Sequence, residues 1–149
     1  MAPGVIDNPM NAPLYTTEIL RLAASLAEQR TLEREDGCAD VRSPTCGSRI
    51  SLTVQLDEQG RVQAISQKVQ ACAFGQASSA LMERGAVGRA HRDVADTMMA
   101  LSAWLAGECE DSGDWPGIAL LAPARARGAR HAAILLPFRA LLAAIEAAR

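Results

Sequence analysis

The 149-residue sequence predicts an α+β fold: a small antiparallel sheet of about three strands, with helices packed on one face. Segments that alternate apolar and polar residues cluster early in the chain. Segments with helical periodicity dominate its second half, so strands and helices are segregated rather than interleaved. Apolar residues make up 49% of the chain and aromatics 3%, so the core is aliphatic, and one domain of this length can bury it without disulfides.

Residues 1–13 are rich in Pro, Asn and Gly without periodicity and predict a flexible tail; 14–149 predict a single domain. A helix is expected over about 16–29, capped by Thr16 or Thr17, with Ile19, Leu22, Ala23, Leu26 and Ala27 on one face. Residues 30–37 are charged and end in Gly37, a loop, followed by a short edge strand up to Pro44. From Arg49 to Asp57, Ile50, Leu52, Val54 and Leu56 alternate with Ser51, Thr53 and Gln55, the pattern of a half-buried strand. Asp57-Glu58-Gln59-Gly60 is a turn, and 61–71 resume extended character less cleanly, completing a hairpin. Helices follow at about 75–87, ended by Gly88, and about 92–106, with Val94, Met98, Leu101 and Leu105 on one face. Residues 107–122 read as an acidic loop. A last helical segment covers about 124–148, with Pro137 expected to kink or divide it.

The formal charge is −2 and the pI about 5.7, without the basic excess of a nucleic-acid binder. The N-terminus has no basic segment followed by an apolar one. The longest apolar run, Ala132 to Leu136, is too short for a bilayer, so no membrane association and a cytoplasmic location are expected. In a reducing compartment the four cysteines are thiols, metal ligands or core residues.

Cys46 lies in a Pro44-Thr45-Cys46-Gly47 turn between extended segments. Cys72 closes a strand just before a helix, where free N–H groups and partial positive charge favour thiolate. His131, near the start of the last helix, can present a ring nitrogen to the same region. Two soft donors and one borderline donor suit zinc or iron–sulfur chemistry. Taken on spacing alone, a pair of core cysteines is the competing reading, because Cys is among the most buried residue types.

The surroundings of these residues add a resemblance. Ser43-Pro44-Thr45-Cys46-Gly47-Ser48, the alternating strand, the Asp-Glu-Gln-Gly turn, and Gln70-Ala71-Cys72-Ala73-Phe74-Gly75-Gln76-Ala77-Ser78-Ser79-Ala80 resemble the NifU/IscU-type iron–sulfur cluster scaffold family. Arg130-His131-Ala132-Ala133-Ile134-Leu135 is similar to that family's third ligand segment. The resemblance runs over about residues 14–148. It implies a scaffold or carrier that receives sulfur from a cysteine desulfurase. Such a protein holds a transient [2Fe-2S] cluster or its iron precursor and passes it to recipient apoproteins. It also implies metal ligation by Cys46, Cys72 and His131, with Ser48 or an outside group completing the shell, in a monomer or in a homodimer bridging one cluster.

Departures from the family pattern are specific. Ser48 stands where the family usually carries Asp. At the third cysteine position the chain has Ala132 in one alignment and His131 in the other. Leu121-Ala122-Pro123-Ala124-Arg125 matches the family's chaperone-docking segment poorly. Two rival readings follow: a zinc-dependent sulfur-transfer protein that activates a desulfurase, which would make it an enzyme component, and a metal-free paralogue that works by binding partners.

The other candidates read as structural. Cys38 and Cys109 are expected to be ordinary thiols, His91 a cap or surface residue, and Ser78 and Ser79 small packing residues. Met82, Met98 and Met99 are expected core fillers. Trp104 and Trp115 anchor the acidic loop. Arg125, Arg127 and Arg130 form a solvated basic run, with docking to an acidic patch as the functional alternative.

Overall fold

The computed structural model describes residues 15–45 and 47–149; the tail expected over 1–13 lies outside them. The elements are α1 (Thr17–Ala24), β1 (Gly37–Arg42), β2 (Arg49–Leu56), β3 (Val62–Gln70), α2 (Ala73–Ala86), α3 (His91–Leu105), a 3-10 segment (Ile118–Ala126) and α4 (Gly128–Ala147). The strands form one antiparallel sheet in the order β1-β2-β3. The α+β expectation therefore holds.

The β2–β3 pairing runs from Arg49 opposite Gln70 to Leu56 opposite Val62, with a register shift at Gln55/Leu56. That bulge explains the imperfect alternation read in β3: Val62 and Ile65, three residues apart, are both buried. Ile50, Leu52 and Val54 of β2 join them in the core. Helix α4 lies across β1 and β2, and α2 lies against β3, so the helices cover one face. The other face carries Asp40, Arg42, Arg49, Thr53, Lys68 and Gln70.

Three boundaries differ from expectation. The first helix ends at Ala24 rather than near 29, where the Ser25 hydroxyl donates to the Leu22 carbonyl at 2.7 Å. Beyond it the chain lies along β3, with the Arg30 N–H donating to Ser66 Oγ at 2.8 Å and the Arg30 guanidinium to the Ile65 carbonyl at 3.3 Å. These bonds to β3 hold residue 30 in an extended course along the sheet, while the Leu26 N–H makes only a last turn bond to the Ala23 carbonyl at 3.4 Å. The loop expected over 107–122 gives way at Gly117, whose φ of 84° turns the chain into the 3-10 segment, and α4 begins only at Gly128.

Pro137 does not divide the last helix, which is continuous from Gly128 to Ala147. Proline lacks the N–H that would have bonded Ala133, four residues earlier. One residue on, the buried Ser78 hydroxyl donates to the Ile134 carbonyl at 2.6 Å, a bond from α2 that ties α4 down at this turn. Helix α4 has 20 residues and a mean hydropathy of 1.3, long and apolar enough to cross a membrane by composition. Half of it is buried, with Phe138, Leu141 and Ile145 in the core, which fits a central helix of this fold.

Candidate functional site

The hairpin register fixes the geometry of the site. Arg49 opposite Gln70 is the last rung, so the loop before β2 and the residues after β3 share one end of the sheet. Within the loop, the Ser43 N–H donates to the Ser48 carbonyl at 2.8 Å and the Gly47 N–H to the Ser43 carbonyl at 2.9 Å. Gly47 takes a φ of 72°, the left-handed conformation that glycine adopts without a Cβ penalty. Ser43 and Ser48 are buried while Pro44, Thr45 and Gly47 are exposed. Cys46 falls outside the described residues.

Across the end of the sheet, Cys72 is the N-cap residue of the 14-residue helix α2, with extended backbone (φ −66°, ψ 173°) and no side-chain capping bond. Its thiol is half-buried and free of disulfide. The first turn of α2 carries no side-chain cap, so its free backbone N–H groups lie beside the sulfur. A Cβ placed on Gly75 would approach Ala71 Cβ at 2.6 Å and Ala133 at 3.5 Å, so the first turns of α2 and α4 are in contact there. This contact brings the His131 segment to the neighbourhood of Cys72.

His131 Nε2 lies 2.9 Å from the Ala124 carbonyl and 3.1 Å from the Arg125 carbonyl. Both partners only accept, so Nε2 carries the hydrogen. Neutral His131 is thereby held in the tautomer whose Nδ1 lone pair is free. Histidines that ligate metals commonly donate their other N–H to a carbonyl or carboxylate in this way. Ala132, the alternative third position, offers only a methyl group. Among the described residues no group of three or more His, Cys, Asp or Glu is placed to hold a metal; Cys46 is not one of them.

The remaining candidates lie elsewhere. Cys38 is exposed on the outer face of the sheet, accepting from Thr53 Oγ1 at 3.7 Å. Cys109 is exposed, its thiol donating to the Asp111 carbonyl at 3.5 Å. His91 opens α3 and pairs with Glu146 at 3.0 Å. Arg125 is not a free docking cation. It donates to the carbonyls of Trp104 (2.8 Å) and Cys109 (3.2 Å), lies 3.5 Å from Glu110 and stacks over Trp104. The docking alternative for the basic run therefore rests on Arg127 and Arg130 alone.

A polar pocket that sequence reasoning missed lies on the outer face, lined by Arg49, Ser51, Lys68 and Gln70. Pairing the strands across the Asp57–Gly60 turn would have found it, since every outward residue near that end of β2 and β3 is polar.

A three-stranded antiparallel sheet covered on one face by helices, with Cys72 at the N-cap position of the helix that follows the sheet, defines a class of small α+β domain. The chain belongs to the NifU-like N-terminal domain family, whose model matches residues 14–107. No curated protein matches the chain. Among solved structures it is similar to a nitrogen-fixing NifU-like protein (N-terminal) from Brucella abortus, with 29% identity, a TM-score of 0.81, and coverage of 91% of this chain and 94% of that one. A protein from Fervidobacterium islandicum AW-1, assigned as an iron–sulfur cluster assembly scaffold of the SUF system, shares the fold. It has 18% identity and a TM-score of 0.79, with 89% of this chain and 96% of that one covered.

Proposed function

We propose that this chain is an iron–sulfur cluster assembly scaffold that holds a transient [2Fe-2S] cluster, or its iron precursor, as cargo. The donors are Cys46, Cys72 and Nδ1 of His131. The observation that carries the reading is the uncapped, half-buried Cys72 at the N-terminus of α2. It stands at the end of the sheet where the loop containing Cys46 begins β2, inside a family whose members include such scaffolds. The fixed tautomer of His131 supports a nitrogen donor where the family pattern has cysteine.

The residues fit such cargo in kind but not in number. A [2Fe-2S] cluster takes four terminal ligands, commonly thiolates. One chain supplies two thiols and an imidazole by this reading, and Ser48, buried in the loop, is a weaker oxygen donor. A site short of one ligand is open to exchange, which suits a carrier that must release what it holds. Sulfur would come from a cysteine desulfurase in the cytoplasm, and the cluster would go to apoproteins. His131 replaces a thiol that would otherwise be available to accept persulfide, so sulfur delivery falls to Cys46 or Cys72.

Anaerobic reconstitution of the purified chain with iron and sulfide tests this. Visible absorption with bound iron and sulfide is expected. It should be lost in Cys46→Ala and Cys72→Ala, weakened or spectrally shifted in His131→Ala, and unchanged in Cys109→Ala. Zinc binding with no cluster would favour the sulfur-transfer reading. A well-folded chain that binds neither metal would support the paralogue that acts through its surface, as Ala132 in place of a donor suggests.

A further inference from the structure

We propose that the open edge of β1 docks a second copy of this chain, strand against strand about a two-fold axis at Val41, with Asp40 of each copy opposite Arg42 of the other. The inference goes beyond the scaffold reading and rests on no metal.

The hydrogen-bond pattern of β1 identifies the edge. The Ser43 N–H donates to the Ser48 carbonyl at 2.8 Å, which makes that rung a hydrogen-bonded one. Antiparallel rungs alternate, so Val41 opposite Ile50 and Ala39 opposite Leu52 are hydrogen-bonded too. Cys38, Asp40 and Arg42 therefore turn their N–H and C=O groups away from β2. Among the described residues only β2 pairs with β1, and α4 is the one other element packed against it. The opposite edge is covered. The Arg30 guanidinium donates to the Ile65 carbonyl of β3, the Val62 N–H donates to the Arg89 carbonyl, and the Gly88 N–H to the Val62 carbonyl. An uncovered strand edge is a template for another strand.

Charge selects the occupant and its register. Two antiparallel copies of β1 must set their edge residues opposite one another. Asp40 opposite the partner's Asp40 would face like charges. Sliding one way would set Arg42 opposite the partner's Asp36, which lies before β1 and is taken by Arg34 and the Leu56 N–H. Sliding the other way sets Asp40 opposite the partner's Arg42, and Arg42 opposite the partner's Asp40, so both rungs carry opposite charges. Arg42 forms no ion pair among the described residues. Asp40 accepts from Arg49 at 3.0 and 2.6 Å, and a carboxylate has further lone pairs for a second guanidinium. In this register Val41 faces the partner's Val41 on the helical side of the sheet. Val41 is half-buried and forms one wall of a groove of about 280 Å3, with Met98 and Leu142 as its other apolar residues. The axis brings the Val41 walls of the two grooves together and takes apolar surface out of water. Pro44, without an N–H, ends the pairing. Two three-stranded sheets then become one of six strands. The two copies of β3 stand five strand spacings apart, roughly 24 Å, so each copy keeps its own Cys72 site.

Sedimentation equilibrium of the full, metal-free chain under reducing conditions tests this. A monomer–dimer equilibrium is expected. Its Kd should rise about tenfold or more in Arg42→Asp and in Asp40→Arg, each alone, and stay unchanged in Arg92→Glu on α3. Mixing Arg42→Asp with Asp40→Arg should restore a heterodimer, because every facing pair is then opposite in charge. Far-UV circular dichroism and thermal unfolding separate loss of the dimer from loss of the fold. If Asp40→Arg unfolds because Arg49 loses its partner, Arg42→Asp and a cross-link decide. For the cross-link, Val41→Cys in a Cys38→Ser, Cys109→Ser background is oxidised, and peptide mass mapping should find a disulfide joining position 41 of the two copies. Facing side chains in a non-hydrogen-bonded pair have Cβ atoms about 4.5–5.5 Å apart, within reach of that bond. A dimer as tight in Arg42→Asp as in the parent, a mixture of two folded variants that stays monomeric, or a cross-link that maps elsewhere would each overturn the proposal. A monomer at every concentration would overturn it too, and leave the edge to an extended segment of a different protein. None of these outcomes bears on the scaffold reading, which is read separately by reconstitution with iron and sulfide.

Discussion

Asp36 shows how one side chain ties a loop to a sheet. It accepts from the Arg34 guanidinium at 2.8 Å and from the Leu56 N–H at 2.7 Å, just before β1 begins. The Arg34 hydrogen bond, then that of Leu56, holds its carboxyl below the ordinary carboxylate range, with burial opposing. A depressed folded-state pKa means that the charged form stabilises the fold. That contribution is present above the unfolded pKa and is lost as pH falls through the folded one. Asp36→Asn should therefore lower the denaturant midpoint at neutral pH. The gap from the parent protein should close in acid as Asp36 protonates. A gap that stays constant across that range would mean the carboxylate's charge plays no part.

His131 is the residue-scale case where sequence reading and structure complement each other. The sequence marks it as a candidate donor by its place before Ala132-Ala133-Ile134-Leu135. Which nitrogen is free depends on the carbonyls of Ala124 and Arg125, which the 3-10 segment folds back over the start of α4. Cys72 was legible in part: the sequence sets it at a strand end just before a helix expected from about residue 75, whereas β3 ends at Gln70 and α2 starts at Ala73 with Cys72 as its N-cap residue.

Among the elements, α1 is short and depends on its ends. Thr16 Oγ1 accepts from the Ile19 N–H at 3.1 Å, and Glu18 lies in the first turn. Thr16→Ala should cost about 1 kcal/mol, read by chemical denaturation, with α1 fraying first by hydrogen exchange. A change well under that would show that Ile19 and Leu22, buried against the core, hold α1 without its cap. The sequence placed this start correctly and misplaced the end by about a turn. The start is set by a local side chain, whereas the end is set by competition with β3, tens of residues away. The hairpin was read well for the converse reason: alternation and the Asp57–Gly60 turn lie within one stretch. Asp57 itself accepts from the N–H groups of Gln59 and Arg61, both at 2.9 Å.

For the whole molecule, Trp115 is the clasp. It is buried, donates from Nε1 to the Leu81 carbonyl at 2.9 Å, meets Phe138 edge-on at 5.1 Å and lies under Arg89 at 4.5 Å. A single residue thus joins the segment after α3 to α2 and α4. Gly85 has no side chain because a Cβ there would collide with the indole. Trp115→Ala should cost about 3–5 kcal/mol, measured by thermal or denaturant unfolding. A loss below about 1 kcal/mol would mean that the acidic loop folds independently of the core.

The sequence by itself determined the class of fold, the hairpin, the helix order, and Cys46, Cys72 and His131 as the residues to watch. Each of these follows from local periodicity, a turn, or a family-like pattern within a short stretch. Only the tertiary structure decided where the first helix stops, that Pro137 leaves α4 whole, which nitrogen of His131 is free, and that Lys68 and Arg49 share a pocket. Those outcomes depend on contacts between segments far apart in the chain, and the energies of such contacts do not exist until the chain has folded.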